Sequence, residues 1–73
     1  MPTQTAQQLS ARNQFSGTVS NIKEGTVMAE VTVMVQGISF VAAITAESVR
    51  AMRLAANDRV TVAIKATEVL VAK

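Results

Sequence analysis

Residues 27–36 of this chain read VMAEVTVMVQ, and this stretch decides the fold. Apolar residues occupy every second position of it, and Glu30, Thr32 and Gln36 fall on the alternate positions with two methionines. A period of two is typical of a β-strand with one face on a core and the other toward solvent. The pattern predicts a strand whose buried face carries five residues: Val27, Ala29, Val31, Val33 and Val35.

Two flanking segments extend this pattern. Apolar and polar residues alternate over 13–20, and that strand should end at a turn within residues 21–25. On the other side, Gln36-Gly37 is a hairpin turn that leads into residues 38–44. Both faces of the segment 38–44 are apolar, so we expect that strand to be covered on both sides.

A short helix is predicted after residue 44. Thr45 has the side chain of a helix N-cap, and the spacing of Val49 and Met52 fits one or two helical turns. Residues 55–58 break the helix, and Asn57 in this break is suited to a left-handed conformation.

Two more strands complete the prediction, one alternating over residues 59–64 and a last short one over 68–71. Five strands and one short helix predict a mainly β fold, an OB-like five-stranded small barrel. It forms a single domain over residues 10–73, preceded by a Gln/Thr-rich arm over 1–9 that we expect to be flexible.

The composition predicts that the barrel assembles as an oligomer. A chain of 73 residues buries a small core, and with no cysteine and no histidine it has neither a disulfide nor a His/Cys metal site to supplement that core. Its hydrophobic share of 49% and mean hydropathy of +0.31 are high for so small a chain. Apolar surface left outside one core is then covered by other subunits.

Several classes of function are disfavoured. Nucleophilic Ser-His or Cys-His chemistry has no residues to carry it, and the five carboxylates are scattered, so we predict a protein that is not an enzyme and has no catalytic residues, resident cofactor or bound metal cation. A net charge of +2 and two aromatic residues do not favour nucleic acid. The chain has neither a secretory signal nor the apolar run of roughly 20 residues that a membrane span needs. We therefore expect a cytoplasmic protein.

Hydrogen-bond donors concentrate in three places: residues 10–13 before the first strand, 45–48 at the start of the helix, and 65–67 after the fourth strand. Each place offers hydroxyls, a cation or free backbone amides, which is the set that a tetrahedral dianion requires. Taken singly, each residue has a simpler role: Arg12 and Lys65 as solvated cations, Thr45 as an ordinary cap, Ser48 as a first-turn hydroxyl.

Five segments stand out when they are taken together: SARNQFSG at 10–17, IKEG at 22–25, AEV at 29–31, ITAESV at 44–49 and VAIKAT at 62–67. In order and spacing they resemble the molbindins, the small molybdate-binding Mop proteins, whose TOBE/Mop-type unit recurs in transporter ATPases and molybdate-responsive regulators. The resemblance extends over residues 9–71.

The resemblance implies an oxyanion site between subunits of a homohexamer built as a trimer of dimers. The residues it assigns to the ion are Ser10, Ala11, Arg12, Thr45, Ser48, Lys65, Ala66 and Thr67. It also implies a second kind of site, for which Lys23 is the candidate cation.

The function that follows is intracellular binding and storage or buffering of molybdate, with tungstate as a near-equivalent ligand. The alternative is a molybdate-sensing regulatory or interaction module whose ligand state a partner protein reads.

Overall fold

The computed structural model describes residues 12–73, so the predicted arm and the candidate site residues Ser10 and Ala11 lie outside the described part. Its elements are strands β1 (Asn13–Glu24), β2 (Met28–Val35) and β3 (Ile38–Thr45), helix α1 (Ala46–Met52), strand β4 (Arg59–Ile64) and a 3₁₀ turn (Ala66–Glu68). The strands form one antiparallel sheet in the order β3-β2-β1-β4. The mainly β, OB-like fold with one short helix is confirmed.

The inward face of β2 forms the centre of the core, as its period predicts. Ala29, Val31, Val33 and Val35 are buried, together with Val19 of β1 and Val49 of α1. Val27 is the exception, with 69% of its surface exposed, because β2 begins at Met28 and Val27 belongs to the preceding turn.

The Gln36-Gly37 hairpin is also confirmed. Val35 pairs with Ile38, and Gln36 and Gly37 both have positive φ angles, 49° and 83°. Positive φ at both central residues matches the twist of the two strands that such a turn connects.

Strand β1 is longer than the sequence pattern indicates, because it contains a bulge. The register with β2 shifts between Val19 and Asn21, which leaves Ser20 as an extra residue. After the bulge Ile22, instead of Asn21, turns toward the core. The strand continues to Glu24, which lies within the range 21–25 where the sequence predicts its end.

Gly17 allows β1 to cross β2 closely at the start of this long strand. A Cβ atom at Gly17 would lie 2.7 Å from the Met34 carbonyl oxygen and 2.7 Å from Val33 Cγ1. Neither atom is the free end of a flexible side chain, so a larger residue here would push the strands apart.

Two predictions about the open side of the sheet were wrong. Strand β3 is an edge strand, and Ile38 and Val41 are 60% and 63% exposed, so one chain does not cover both of its faces. Residues 68–71 do not form a strand either: Glu68 lies in the 3₁₀ turn, and Leu70 and Val71 are over 90% exposed. A strand forms only beside a neighbour whose backbone pairs with it, and here residues 69–71 have none within the described chain.

An apolar groove of about 190 Å³ lies between the two edges of the sheet. Its lining includes Ala42 and Ile44 of β3, Val60 and Val62 of β4, and Leu54 of the connection between them. The four-stranded sheet is therefore open between the edge strands β3 and β4.

Helix α1 has the predicted length and cap. Thr45 is extended and its side chain accepts a hydrogen bond from the Ser48 amide, while Arg53 ends the helix in the left-handed conformation. Met52 is 57% exposed, so of the two residues whose spacing predicted the helix, Val49 alone is buried. Asn57 adopts the predicted left-handed conformation, with φ of 76°. Within residues 12–73, no helix has the length and apolar character needed to span a membrane.

Candidate functional site

The candidate residues of the described chain fall into two groups. We call Arg12, Lys65, Ala66 and Thr67 the cation cluster, and Thr45 with Ser48 the hydroxyl pair. Each group has its own place in the sheet.

Pairing between β1 and β4 assembles the cation cluster. Asn13 pairs with Ile64, and the Asn13 side-chain amide donates to the Ile64 carbonyl oxygen at 3.2 Å. Arg12 directly precedes the first of these residues and Lys65 directly follows the second, so the antiparallel register places the two cations side by side. Both are exposed, and within residues 12–73 neither takes part in an ion pair.

The 3₁₀ turn after Lys65 adds backbone donors to the cation cluster. Its hydrogen bonds run from the Glu68 amide to the Lys65 carbonyl at 2.9 Å and from the Val69 amide to the Ala66 carbonyl at 3.4 Å. In the described part of the chain the amides of Ala66 and Thr67 are not used by this turn. Two free amides next to Lys65 suit an oxyanion.

The hydroxyl pair is held by two short hydrogen bonds. Thr45 Oγ1 accepts from the Ser48 amide at 3.0 Å, and the Thr45 hydroxyl donates to Ser48 Oγ at 2.7 Å. The Ala46 amide donates to the Val27 carbonyl at 2.7 Å. Of the first three amides of α1 in the described structure, the Glu47 amide alone is without a partner, so the helix offers fewer free amides than its sequence indicates.

The two groups lie at opposite ends of β1. The cation cluster is at the Asn13 end, whereas Thr45 pairs with Met28, beside the Glu24 end. Eleven residue steps of strand correspond to a contour of roughly 35 Å. Hydrogen bonds to an ion span about 3 Å. In one chain the cation cluster and the hydroxyl pair are therefore separated by nearly the full length of the longest strand.

Lys23 lies at the end of β1 that carries the hydroxyl pair. It is exposed, it pairs across the strands with Glu30, and it lines a cleft of about 390 Å³ together with Glu24. Glu30 offsets the charge of Lys23 across the strands, so this cleft attracts an anion less than the cation cluster does.

An ion pair that the sequence does not indicate ties α1 to the end of β1. Arg50 Nη1 lies 2.7 Å from Glu24 Oε2, and the two side chains are 60% and 39% exposed. The partners are 26 residues apart, so their contact depends on the fold and leaves no periodic signal in the sequence.

This chain is similar to a known domain family and to a curated protein. The TOBE domain model matches residues 9–71. The molybdenum transport protein ModE of Herbaspirillum seropedicae is 40% identical over 65 residues, which is 88% of this chain. The chain spans about a quarter (24%) of that curated relative's length.

Solved structures are similar over most of this chain. A molybdate-binding protein from Sporomusa ovata superposes with a TM-score of 0.87 at 44% identity, covering 90% of this chain and 98% of the other. MopII from Clostridium pasteurianum gives 0.85 at 31% identity over 90% and 100%. The cytoplasmic molybdate-binding protein ModG, with molybdate bound, gives 0.77 at 47% identity over 81% and 43%.

The match to the family model covers most of this chain. The two small molybdate-binding proteins are themselves covered over nearly their whole length. The resemblance to the molbindins is confirmed. This chain belongs to the TOBE domain family and is of the Mop type.

Proposed function

We propose that this chain binds molybdate, with tungstate as a near-equivalent ligand, and does no chemistry on it. The observation that carries the proposal is the pairing of Asn13 with Ile64, which sets Arg12 beside Lys65 although 53 positions separate them in the sequence. Two cations and the free amides of Ala66 and Thr67 offset and fix a dianion. The names of the similar proteins from Sporomusa ovata and of ModG support molybdate as that dianion.

Calorimetric titration of molybdate into the purified oligomer tests this proposal. Saturable heat is expected, with tungstate giving a similar isotherm and sulfate a weaker one. No saturable heat with molybdate up to millimolar concentration would contradict molybdate binding.

We further propose that each ion lies between subunits, held by the cation cluster of one chain and the hydroxyl pair of another. The separation of the two groups along β1 supports this arrangement, because a complete shell then requires a second copy. Ser10 and Ala11 would add donors beside Arg12 in the same shell, and Lys23 would serve a second kind of site.

Exposed apolar surface supports the homo-oligomer, a hexamer built as a trimer of dimers. The edge strand β3 exposes Ile38 and Val41, the C-terminal segment exposes Leu70 and Val71, and the apolar groove between the sheet edges is open. Burying such surface between subunits contributes roughly 25 cal/mol of stabilising free energy per Å². A chain with so small a core needs this added stability. The mass of the protein in solution tests this, and a monomer at micromolar concentration would contradict it.

Storage or buffering in the cytoplasm is the role that this binding would serve. The description of ModG as cytoplasmic supports the location. If the role is buffering, deletion of the protein should lower the molybdenum that cells retain after transfer to molybdate-free medium, and unchanged retention would contradict it.

A second candidate role is a molybdate-dependent module that a partner protein reads. It is favoured by one observation, that the same unit spans about a quarter of the Herbaspirillum seropedicae relative. A partner captured from lysate with molybdate and lost without it would support this role over buffering.

A further inference from the structure

Asn13 is a polar residue on the face of strand β1 that turns toward the core. Phe15, Gly17 and Val19 follow it at every second position on that face, and Val19 is fully buried. Asparagine is depleted in strands, and an apolar residue at this half-buried position would pack better against its neighbours. Position 13 therefore carries an asparagine for a reason other than strand propensity or packing.

The Asn13 side chain makes a hydrogen bond at the point where the β1–β4 ladder ends. Its amide nitrogen donates to the Ile64 carbonyl oxygen at 3.2 Å, and the same two residues are the last pair of the ladder. Because a carbonyl oxygen only accepts, the contact fixes which end of the amide faces β4. The bond closes the ladder one residue from Arg12 on one strand and one residue from Lys65 on the other.

The two cations beyond this bond favour separation of the strand ends. Arg12 and Lys65 carry the same charge, and among residues 12–73 neither has an acidic partner that offsets it. In the described chain, the register of these two strands pairs no residues beyond Asn13 and Ile64. The Asn13 hydrogen bond thus opposes the opening of the ladder at the cation cluster.

We propose that Asn13 is a positioning residue for the oxyanion, which fixes the spacing of Arg12 and Lys65 before the ion binds and does not touch the ion. This inference rests on the proposed function and adds to it a residue that acts through the two cations. A shell whose cations are already held loses less conformational entropy on binding. A fixed spacing also favours an ion of one size, so Asn13 contributes to the preference for molybdate over the smaller sulfate.

Calorimetry on Asn13→Leu in the intact oligomer tests the proposal. Leucine has a similar branched shape and no amide, so the hydrogen bond is lost while the inward face of β1 gains apolar surface. The unfolding temperature of the ligand-free protein should therefore change little. The Kd for molybdate should rise about 10-fold, because two side chains lose their fixed positions, whereas the Kd for sulfate should change by less than about 2-fold.

Two other variants serve as controls. Asn21→Leu makes the same substitution in the other half of β1, where the side chain is exposed and has no hydrogen bond among the described residues. It should leave both Kd values unchanged. Asn13→Ala removes the amide without adding bulk, and it should reproduce the loss of molybdate affinity if Asn13→Leu does not fold.

A double-mutant cycle separates positioning from direct contact. In a Lys65→Ala background no second cation remains to be held at a fixed distance, so Asn13→Leu should weaken molybdate binding by no more than about 2-fold. The same loss as in the unmodified background would overturn the proposal, because Asn13 would then contact the ion itself. Equal losses for molybdate and sulfate, or unchanged molybdate affinity in Asn13→Leu, would also overturn it.

Amide hydrogen exchange in the ligand-free protein tests the positioning without any ion. The amides of β4 that bond to β1 near Ile64 should exchange faster in Asn13→Leu than in Asn21→Leu, and equal rates would overturn the proposal. Failure of the unmodified protein to bind molybdate is a different result. It contradicts the proposed function, and the exchange rates still decide whether Asn13 holds the end of the ladder.

Discussion

The two ends of strand β1 carry different kinds of polar group. At the Asn13 end, Arg12 and Lys65 are exposed cations with no ion-pair partner among the described residues. At the Glu24 end, Thr45 and Ser48 are neutral and already fixed by hydrogen bonds of 2.7 and 3.0 Å. The Asn13 end supplies positive charge, and the Glu24 end supplies hydroxyl groups whose positions are fixed. An oxyanion needs both, and in one chain the two lie at opposite ends of β1.

The largest effect is expected from keeping the two ends of different chains apart. Leu70 is 93% exposed in one chain, so Leu70→Asp should cost little in the fold of that chain. In the oligomer the new carboxylate would be placed in an apolar contact, which is strongly unfavourable. We expect a shift to smaller species in sedimentation and loss of most molybdate binding.

Asn57→Asp is the matched control for Leu70→Asp, because it adds the same charge at a turn whose left-handed conformation Asp tolerates. It should leave mass and affinity unchanged. If Leu70→Asp keeps the native mass and binding, the C-terminal segment is not part of the assembly.

The next largest effect is expected from removing the charge at one end. Arg12→Ala combined with Lys65→Ala should weaken molybdate binding at least about 100-fold, because each charge-assisted hydrogen bond contributes roughly 1.5–3 kcal/mol. Calorimetry measures the change. Arg59→Ala removes an exposed arginine of β4 that lies away from the cluster, and it should bind normally.

Salt should distinguish the two ends more finely. Screening weakens attraction between exposed charges and an anion, and hydrogen bonds from neutral hydroxyls depend on it much less. The Kd of Ser48→Ala should rise between 50 mM and 500 mM NaCl as steeply as that of the unmodified protein, whereas the double cation variant should be nearly insensitive. If the Kd rises equally steeply with salt in all three proteins, the cations and the hydroxyl groups do not contribute in different ways.

The smallest effect is expected from the ion pair beside the hydroxyl pair. Arg50 and Glu24 are 60% and 39% exposed, and exposed ion pairs contribute between zero and about 1 kcal/mol. Arg50→Gln should lower the unfolding temperature by a few degrees at most and leave the Kd within 2-fold. A 10-fold loss of affinity would mean that this ion pair sets the position of Ser48.

The sequence is most informative where one period governs the structure. Alternation in β2 correctly predicts the buried face from Ala29 to Val35, and Gln36-Gly37 predicts the hairpin. The bulge at Ser20 was not predicted, because Ile22 alone follows the shift in the apolar pattern and one residue does not distinguish a bulge from the end of a strand. Residues 68–71 have the pattern of a strand, but strand formation depends on a neighbouring edge that the pattern does not contain.

The candidate site was also predicted in part from the sequence. The family resemblance names Arg12 and Lys65 together, and the pairing of their neighbours Asn13 and Ile64 is consistent with that grouping. It also groups Thr45 and Ser48 with them, but the sequence does not specify the strand pairing that places the two groups at opposite ends of β1. The hydrogen bond from Thr45 to Ser48 is a matter of side-chain rotation, for which the sequence has no signal.

Mixed assembly tests the central claim most directly. One chain carries Arg12→Ala with Lys65→Ala, the other carries Ser48→Ala with Thr45→Val, and the two are unfolded together and reassembled. If each ion takes the cation cluster of one chain and the hydroxyl pair of another, mixed oligomers regain a fraction of tight molybdate sites that neither parent oligomer has. Mixed oligomers that bind no better than their parents would contradict a site shared between chains.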